Sequence, residues 1–303
     1  MYDTIGTYYQ TTEALQTIRY LSDIKENTDL KSGEIITFGK LRNLRLKIKG
    51  DTLTINGSLP KYLYGDNVQE LTRKDTQEAI ESLSDELHLS IDKAKIYRID
   101  IASNFIMKEP LEKYYLSLDT LPRYEKKPYR DGVLFSTNKI TLEFYNKAKE
   151  LKKKRQPIPE IFQNRNVIRY EIHLQKRLPS IFNQVVTGND LYNENFYITA
   201  VDLWKEKYFS IKKNRVNTFN PEAIKMMDKK QIFNQLALLG IKQIGQDELL
   251  KMLELERGKF SKMQFKRIKD KITSLSNLPE LTKKNNFIQE LDSKIIQKAK
   301  YYR

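Results

Sequence analysis

Three short runs of alternating residues carry the side-chain types needed to manage a phosphodiester. In Ile96-Tyr97-Arg98-Ile99-Asp100-Ile101-Ala102 a period of two puts Ile99 and Ile101 on one face and Arg98 and Asp100 on the other. The run from Ile140 to Lys147 turns Ile140, Leu142 and Phe144 inward and leaves Glu143, Tyr145 and Lys147 facing out. From Val167 to Leu174, Ile168, Tyr170, Ile172 and Leu174 face the core while Arg169, Glu171 and His173 face away. Phosphodiester transfer without a free cofactor needs a nucleophile, cations for the phosphoryl oxygens and usually a divalent metal. Tyr145 can attack phosphorus, although a phenol with an ordinary pKa of about 10 needs a cation or metal to favour the phenolate. Lys147 lies two residues away on the same face, Arg98 and Arg169 can clamp phosphate oxygens, and Asp100 and Glu171 are hard ligands suited to Mg2+ or Mn2+.

Each residue also has an ordinary reading. Arg98 with Asp100, or Arg169 with Glu171, can be cross-strand ion pairs on a wet sheet face. The chain has 18 tyrosines, most of which must pack or stack. Tyr145 stands out through its neighbours, and Tyr124 and Tyr129, in the loop before its strand, are the next candidates. The two histidines, His88 and His173, lie too far apart for a local His-apolar-His metal motif. His173 shares the face of Glu171 and reads first as a hydrogen-bonded structural group, then as a ligand or proton carrier. Walker, Rossmann and Ser-His-Asp spacings are absent.

The elements that must position these groups are legible in outline. Residues 1–60 read as strands punctuated by turns, with a hairpin at Lys49-Gly50-Asp51-Thr52 whose first arm alternates Leu44, Leu46 and Ile48 with Arg45, Lys47 and Lys49, so that one face is basic. Thr72, with Asp75 three residues on, predicts a helix N-terminus, and Ala79, Ile80, Leu83 and Leu87 carry it to about His88. A second helix is expected near 110–119, and residues 149–159 read as an exposed connector with five basic residues and two prolines. From about 190 the pattern turns helical, broken at Gly240 and Gly245, with basic helices over Asp247–Glu256 and Ser261–Ser274.

Composition narrows the partner. A formal charge of +15 over 303 residues points to a polyanion, because each Lys or Arg contact to phosphate releases condensed counterions, although excess lysine can also serve solubility alone. Residues 211–303 hold 21 Lys and Arg against 10 Asp and Glu. The absence of cysteine removes disulfides, thiolate nucleophiles and zinc-finger spacing, and fits a reducing cytoplasm. Neither an export signal nor an apolar run of about 18 residues is evident, so no membrane is expected.

At Gly57-Ser58-Leu59-Pro60-Lys61-Tyr62-Leu63-Tyr64-Gly65, Arg98-Ile99-Asp100-Ile101-Ala102, Phe144-Tyr145-Asn146-Lys147 with Glu150, and Arg169-Tyr170-Glu171, the chain resembles phage and plasmid replication proteins of the gene II/gene X family. The resemblance covers roughly residues 40–180. It implies a rolling-circle initiator that nicks one strand at an origin, stays joined to the 5′ phosphate through tyrosine and leaves a 3′ hydroxyl for polymerase. Carried over, Tyr145 is the nucleophile, and Asp100 and Glu171 hold the metal. The chain departs from the family at Asn146, where Asp is expected, and at Ser136-Thr137-Asn138, where a Gly-Ser type turn is expected.

The sequence therefore predicts an α+β fold: a mainly antiparallel sheet with helices on one face in residues 1–190, followed by a basic helical C-terminal region in residues 191–303. Its expected partner is origin DNA, single-stranded or melted, with a host helicase and polymerase as family expectations and a homodimer left open. The alternatives are a DNA-binding replication organiser that does not cut and an RNA-binding module. Acidic residues at the centre of the polar face favour the enzyme over both.

Overall fold

A computed structural model of the chain describes residues 1–175, 177–213, 218–219, 227–278, 282–283 and 287–303. Two compact units emerge: residues 1–214 with 287–303, and residues 215–286. The first unit is built on strands β1 (Tyr2–Gln10), β2 (Ser22–Thr28), β3 (Ile35–Leu41), β4 (Leu44–Lys49), β5 (Thr52–Ser58), β6 (Lys95–Met107), β7 (Glu125–Tyr129), β8 (Gly132–Ser136), β9 (Ile140–Asn146) and β10 (Asn166–Gln175). They form one sheet in the order β2-β3-β4-β5-β1-β6-β10-β9-β8-β7. Every pairing in it is antiparallel. The α+β expectation holds.

Alternation decides the faces. Leu44, Leu46 and Ile48 of β4 are buried while Arg45 and Lys47 are exposed, and the hairpin closes at Lys49 opposite Thr52, with Gly50 taking the positive φ of 53° that its turn requires. On the apolar face of the central strands, Phe144 stacks on Tyr170 with ring centroids 4.4 Å apart, and Trp204 and Tyr208 close over them. Full burial of such side chains contributes about 1.5–3 kcal/mol each.

The helices of this unit are α1 (Leu59–Tyr64), α2 (Arg73–Leu87), α3 (Leu111–Ser117), α4 (Lys147–Lys153), α5 (Leu178–Phe182), α6 (Glu194–Phe209) and a C-terminal helix, Phe287–Tyr301. Helix α2 starts as the sequence predicts, with a capping box between Thr72 and Asp75, and ends at His88 with φ 53°. The C-terminal helix packs on α6, α3 and β6, burying Leu291, Ile295 and Ala299.

Two sequence expectations change here. Residues 149–159 are not wholly a connector: α4 occupies their first part, capped by the Asn146 side chain, which accepts from the Lys149 amide at 3.0 Å. With Phe162 and Val167, Leu151 of that helix forms a small apolar cluster on the face that carries the polar groups, so part of that face is roofed. Among the described residues of the second unit, helices run over Lys229–Ile244, Gln246–Leu255 and Lys262–Ser276, and Thr218–Phe219 pairs with Thr282–Lys283. Gly240 does not break the first of these; Gly245, at φ 96°, ends it.

Candidate functional site

Directly opposed residues of an antiparallel pair project to the same face, so register assembles the site. His173 of β10 lies opposite Asp100 of β6, while Arg169 and Glu171 lie opposite Tyr145 and Glu143 of β9. Arg98 joins them two residues before Asp100. The polar groups of the three predicted runs therefore meet on one face, and His173 spans Asp100 and Glu171: its Nδ1 is 3.1 Å from Asp100 Oδ2 and its Nε2 is 3.5 Å from Glu171 Oε2.

Arg169 is buried at the centre of the cluster. Its guanidinium donates to Glu171, to Asp3 Oδ2 at 2.8 Å, and to the Asn67 carbonyl and Asn104 Oδ1, each at 3.2 Å. With its donors engaged inside the protein, it is a neutralising hub, not the phosphate clamp expected from its sequence position. Burial opposes the Arg169 charge, but Glu171 and Asp3 outweigh it and keep the guanidinium firmly protonated. Burial likewise opposes the Asp3 carboxylate, yet Arg169 and hydrogen bonds from Ser58 and Asn67 hold its pKa below the usual value.

Lys147 also differs from expectation. It is the first residue of α4, not a strand residue, and its buried ammonium donates to Asn67 Oδ1 at 3.0 Å and Glu150 Oε2 at 2.8 Å. Burial, reinforced by the Arg169 charge, lowers its pKa to about 8 despite Glu150 and Asp3. Asp100, expected as a metal ligand, has both oxygens occupied by Arg98, at 3.0 and 2.5 Å. These pairs, like Arg169 with Glu171, run along one strand instead of across two.

Among the described residues, the groups that can close on one cation are Glu143, Glu171 and His173, each offering a ligand atom within 4.8 Å of the others. Two carboxylates and an imidazole suit a divalent ion that accepts oxygen and nitrogen donors. Asp100 Oδ2 lies 3.1 Å from His173 Nδ1, close enough for charge attraction but not aligned for a hydrogen bond. In the ion-free protein, burial works against the imidazolium, but Asp100, Glu143 and Glu171 raise the His173 pKa to about 10, so the ring itself serves as the cation between them.

Tyr145 donates its hydroxyl to Glu171 Oε1 at 3.0 Å, and burial raises its pKa well above the ordinary phenol value. Tyr129 donates to Glu143 Oε1 at 2.7 Å, whereas Tyr124 packs against the core. Tyr145, Glu150, Lys154 and Glu171 line two adjoining clefts, of about 410 and about 300 Å³. Arg45, Lys61 and Arg98 line the larger, and Lys153 and Tyr129 the smaller.

Over residues 17–206 the chain matches the Phage CRI family, described as the N-terminal part of the gene II replication-associated protein. It belongs to that family. A comparison with curated proteins gives no match. Membership makes the chain a phage-type replication protein, and the matched residues contain β6, β9, β10 and α4, hence most of the site. The family departure at Asn146 acquires a physical account: the position is a helix N-cap, where Asn and Asp serve nearly alike. At the other departure, Thr137 Oγ1 accepts from the amides of Lys139 and Ile140 and closes the turn without glycine. Asp3, Asn67 and Asn104 escaped the sequence reading because they reach Arg169 from 166, 102 and 65 residues away. The one available signal was that a buried Arg169 demands more than a single carboxylate. No helix among the described residues is long and apolar enough to cross a membrane.

Proposed function

We propose that this replication protein initiates rolling-circle synthesis by nicking one origin strand, with Tyr145 as nucleophile and a divalent cation, Mg2+ or Mn2+, held by Glu143, Glu171 and His173. The observation that carries the reading is the Tyr145 hydroxyl donating to Glu171 Oε1 at 3.0 Å, where two clefts lined by both carboxylates and cations meet. The Tyr145 oxygen bonds to phosphorus as the bond to the 3′ oxygen breaks, leaving a 5′-phosphotyrosine and a 3′ hydroxyl. Its proton passes to Glu171 Oε1 in concert with attack, because burial makes a free phenolate costly. Oε2 of the same carboxylate faces His173 and remains available to the cation, so the two oxygens do different work. A cation held there would supply charge neutralisation for the phosphoryl oxygens. Arg98 and Lys154, at the cleft walls, hold the flanking phosphates.

Incubation with a supercoiled plasmid bearing the cognate origin, with Mg2+ or Mn2+ added, tests the reading. Wild-type protein relaxes the plasmid and becomes attached to DNA, and Tyr145→Phe loses both while origin binding stays within about twofold, since the packed ring remains and the lost hydroxyl bond is worth only ~1 kcal/mol. An adduct formed by Tyr145→Phe transfers the role to Tyr129, and relaxation without any adduct makes the protein a hydrolytic nuclease.

A further inference from the structure

The half of the sheet lying beyond β6 carries a second surface on the site's own face. Register aligns its residues in two rows across the strands. The first runs Arg98, Gly6, Asn56, Arg45 and Lys40; the second runs Lys95, Tyr8, Thr54, Lys47, Phe38 and Lys25. Neither row contains a carboxylate. The opposite face of the same strands is the core, with Leu46, Ile48, Leu53 and Ile55 buried, so this segregation is a property of the sheet face and not of the local composition. Arg45 and Lys47 form no ion pair among the described residues, whereas Lys40, at the margin, pairs with Asp23.

Aromatic rings are set between the cations. Tyr8 is 40% exposed and Phe38 36%, with Lys47 and Thr54 between them on the second row. A third ring is displayed by a bulge: Tyr97 is the extra residue between the pairs Gly6–Arg98 and Thr7–Ile96. Its ring lies over Gly6, where a Cβ would come within 2.5 Å, and its hydroxyl accepts from Asn56 Nδ2 at 3.1 Å. The first row reaches the larger cleft beside Tyr145, which Arg98, Asn56 and Arg45 line. Five strand spacings, from β6 to β2, span about 24 Å.

We propose that this face is a track for single-stranded DNA continuing from the nicked phosphate. Lys47, Lys25 and Arg45 take backbone phosphates, and Tyr8, Phe38 and Tyr97 offer stacking surfaces for bases. Unpaired bases and phosphates present the two chemistries the rows alternate, whereas a duplex hides its base faces. The assignment rests on the nicking reading only in naming which strand is held.

Full-length protein is titrated into a labelled oligothymidylate of about 30 nucleotides and into a duplex of equal length, by fluorescence anisotropy across a salt series. The paired substitutions Phe38→Ala with Lys47→Ala, and separately Tyr8→Ala with Lys25→Ala, each weaken oligothymidylate binding at least about tenfold and lower the salt slope by about 0.7. Thermal melts stay at the wild-type value. Unchanged oligothymidylate affinity in either correctly folded variant overturns the track. An equal loss on the duplex overturns its single-strand assignment. If the wild type cuts no DNA, the nicking reading fails while the binding loss still decides the track.

Discussion

A guanidinium with 2% of its surface exposed must be neutralised where it stands, and Arg169 meets Asp3 on one side and Glu171 on the other. Because Arg169 and the Ser58 and Asn67 hydrogen bonds depress the Asp3 pKa, Asp3 contributes stability that is fully present above its unfolded value near 3.8. That contribution is lost as pH falls through the lower, folded value. Asp3→Asn is therefore expected to cost about 3 kcal/mol at pH 7, with the difference from wild type closing below about pH 4 in urea melts. A gap that stayed constant down to pH 2 would mean that folding does not lower the Asp3 pKa. The chemistry at Arg98, Tyr145, Glu171 and His173 was legible because alternation is regular in all three runs. Which of these groups face DNA and which neutralise one another was not, since Asp3 and Asn67 arrive from distant elements. The proposed metal set differs from the one expected for a related reason: Asp100 is engaged by Arg98 of its own strand, and Glu143 stands within reach of Glu171 and His173.

At the scale of elements, the strand-to-helix break between β9 and α4 positions Tyr145, the proposed nucleophile. Asn146 leaves the sheet at φ −77° and ψ 103°, caps α4 and swings Lys147 beneath the face, so Tyr145 becomes the last outward strand residue before the cleft. Asn146→Ala is expected to destabilise the unit by about 1 kcal/mol in denaturant titrations, whereas Asn146→Asp stays within a few tenths of a kcal/mol of wild type. A loss as large for Asp as for Ala would deny the position its capping role. Capping at Thr72 was visible in sequence as a Thr-x-x-Asp box. Here the cap was hidden, because the basic run that follows it resembles a solvated connector as much as an amphipathic helix.

On the scale of the whole molecule, the C-terminal segment separates into two contributions. Residues 215–286 form their own unit, with 15 Lys and Arg against 8 Asp and Glu, while residues 287–303 belong to the sheet unit. Tyr302 meets Ser103 of β6 at 2.8 Å, and Lys294 donates to the Ile106 carbonyl at 2.6 Å. Truncation at residue 210, attractive from charge alone, removes a buried face of the core and is expected to abolish cooperative unfolding. Replacing 215–286 with a flexible Gly-Ser linker of about 20 residues should instead preserve the melt and flatten the salt dependence of DNA binding. The ends to be joined are near one another, since Lys213 Nζ lies 3.4 Å from Asp292 Oδ1. A linker variant that fails to fold would make the two units one cooperative body. Docking of the C-terminal helix against β6 also sets a clock on biosynthesis. At about 5–20 residues per second, a ribosome takes roughly ten seconds to read the inserted unit before the sealing helix can emerge. Through that interval Leu291, Ile295 and Tyr302 are not yet present to close the sheet, so a nascent chain has the strands that carry Tyr145 but lacks the lid of their core. On the proposed reading, the nicking site is complete only late in translation, once this helix has docked.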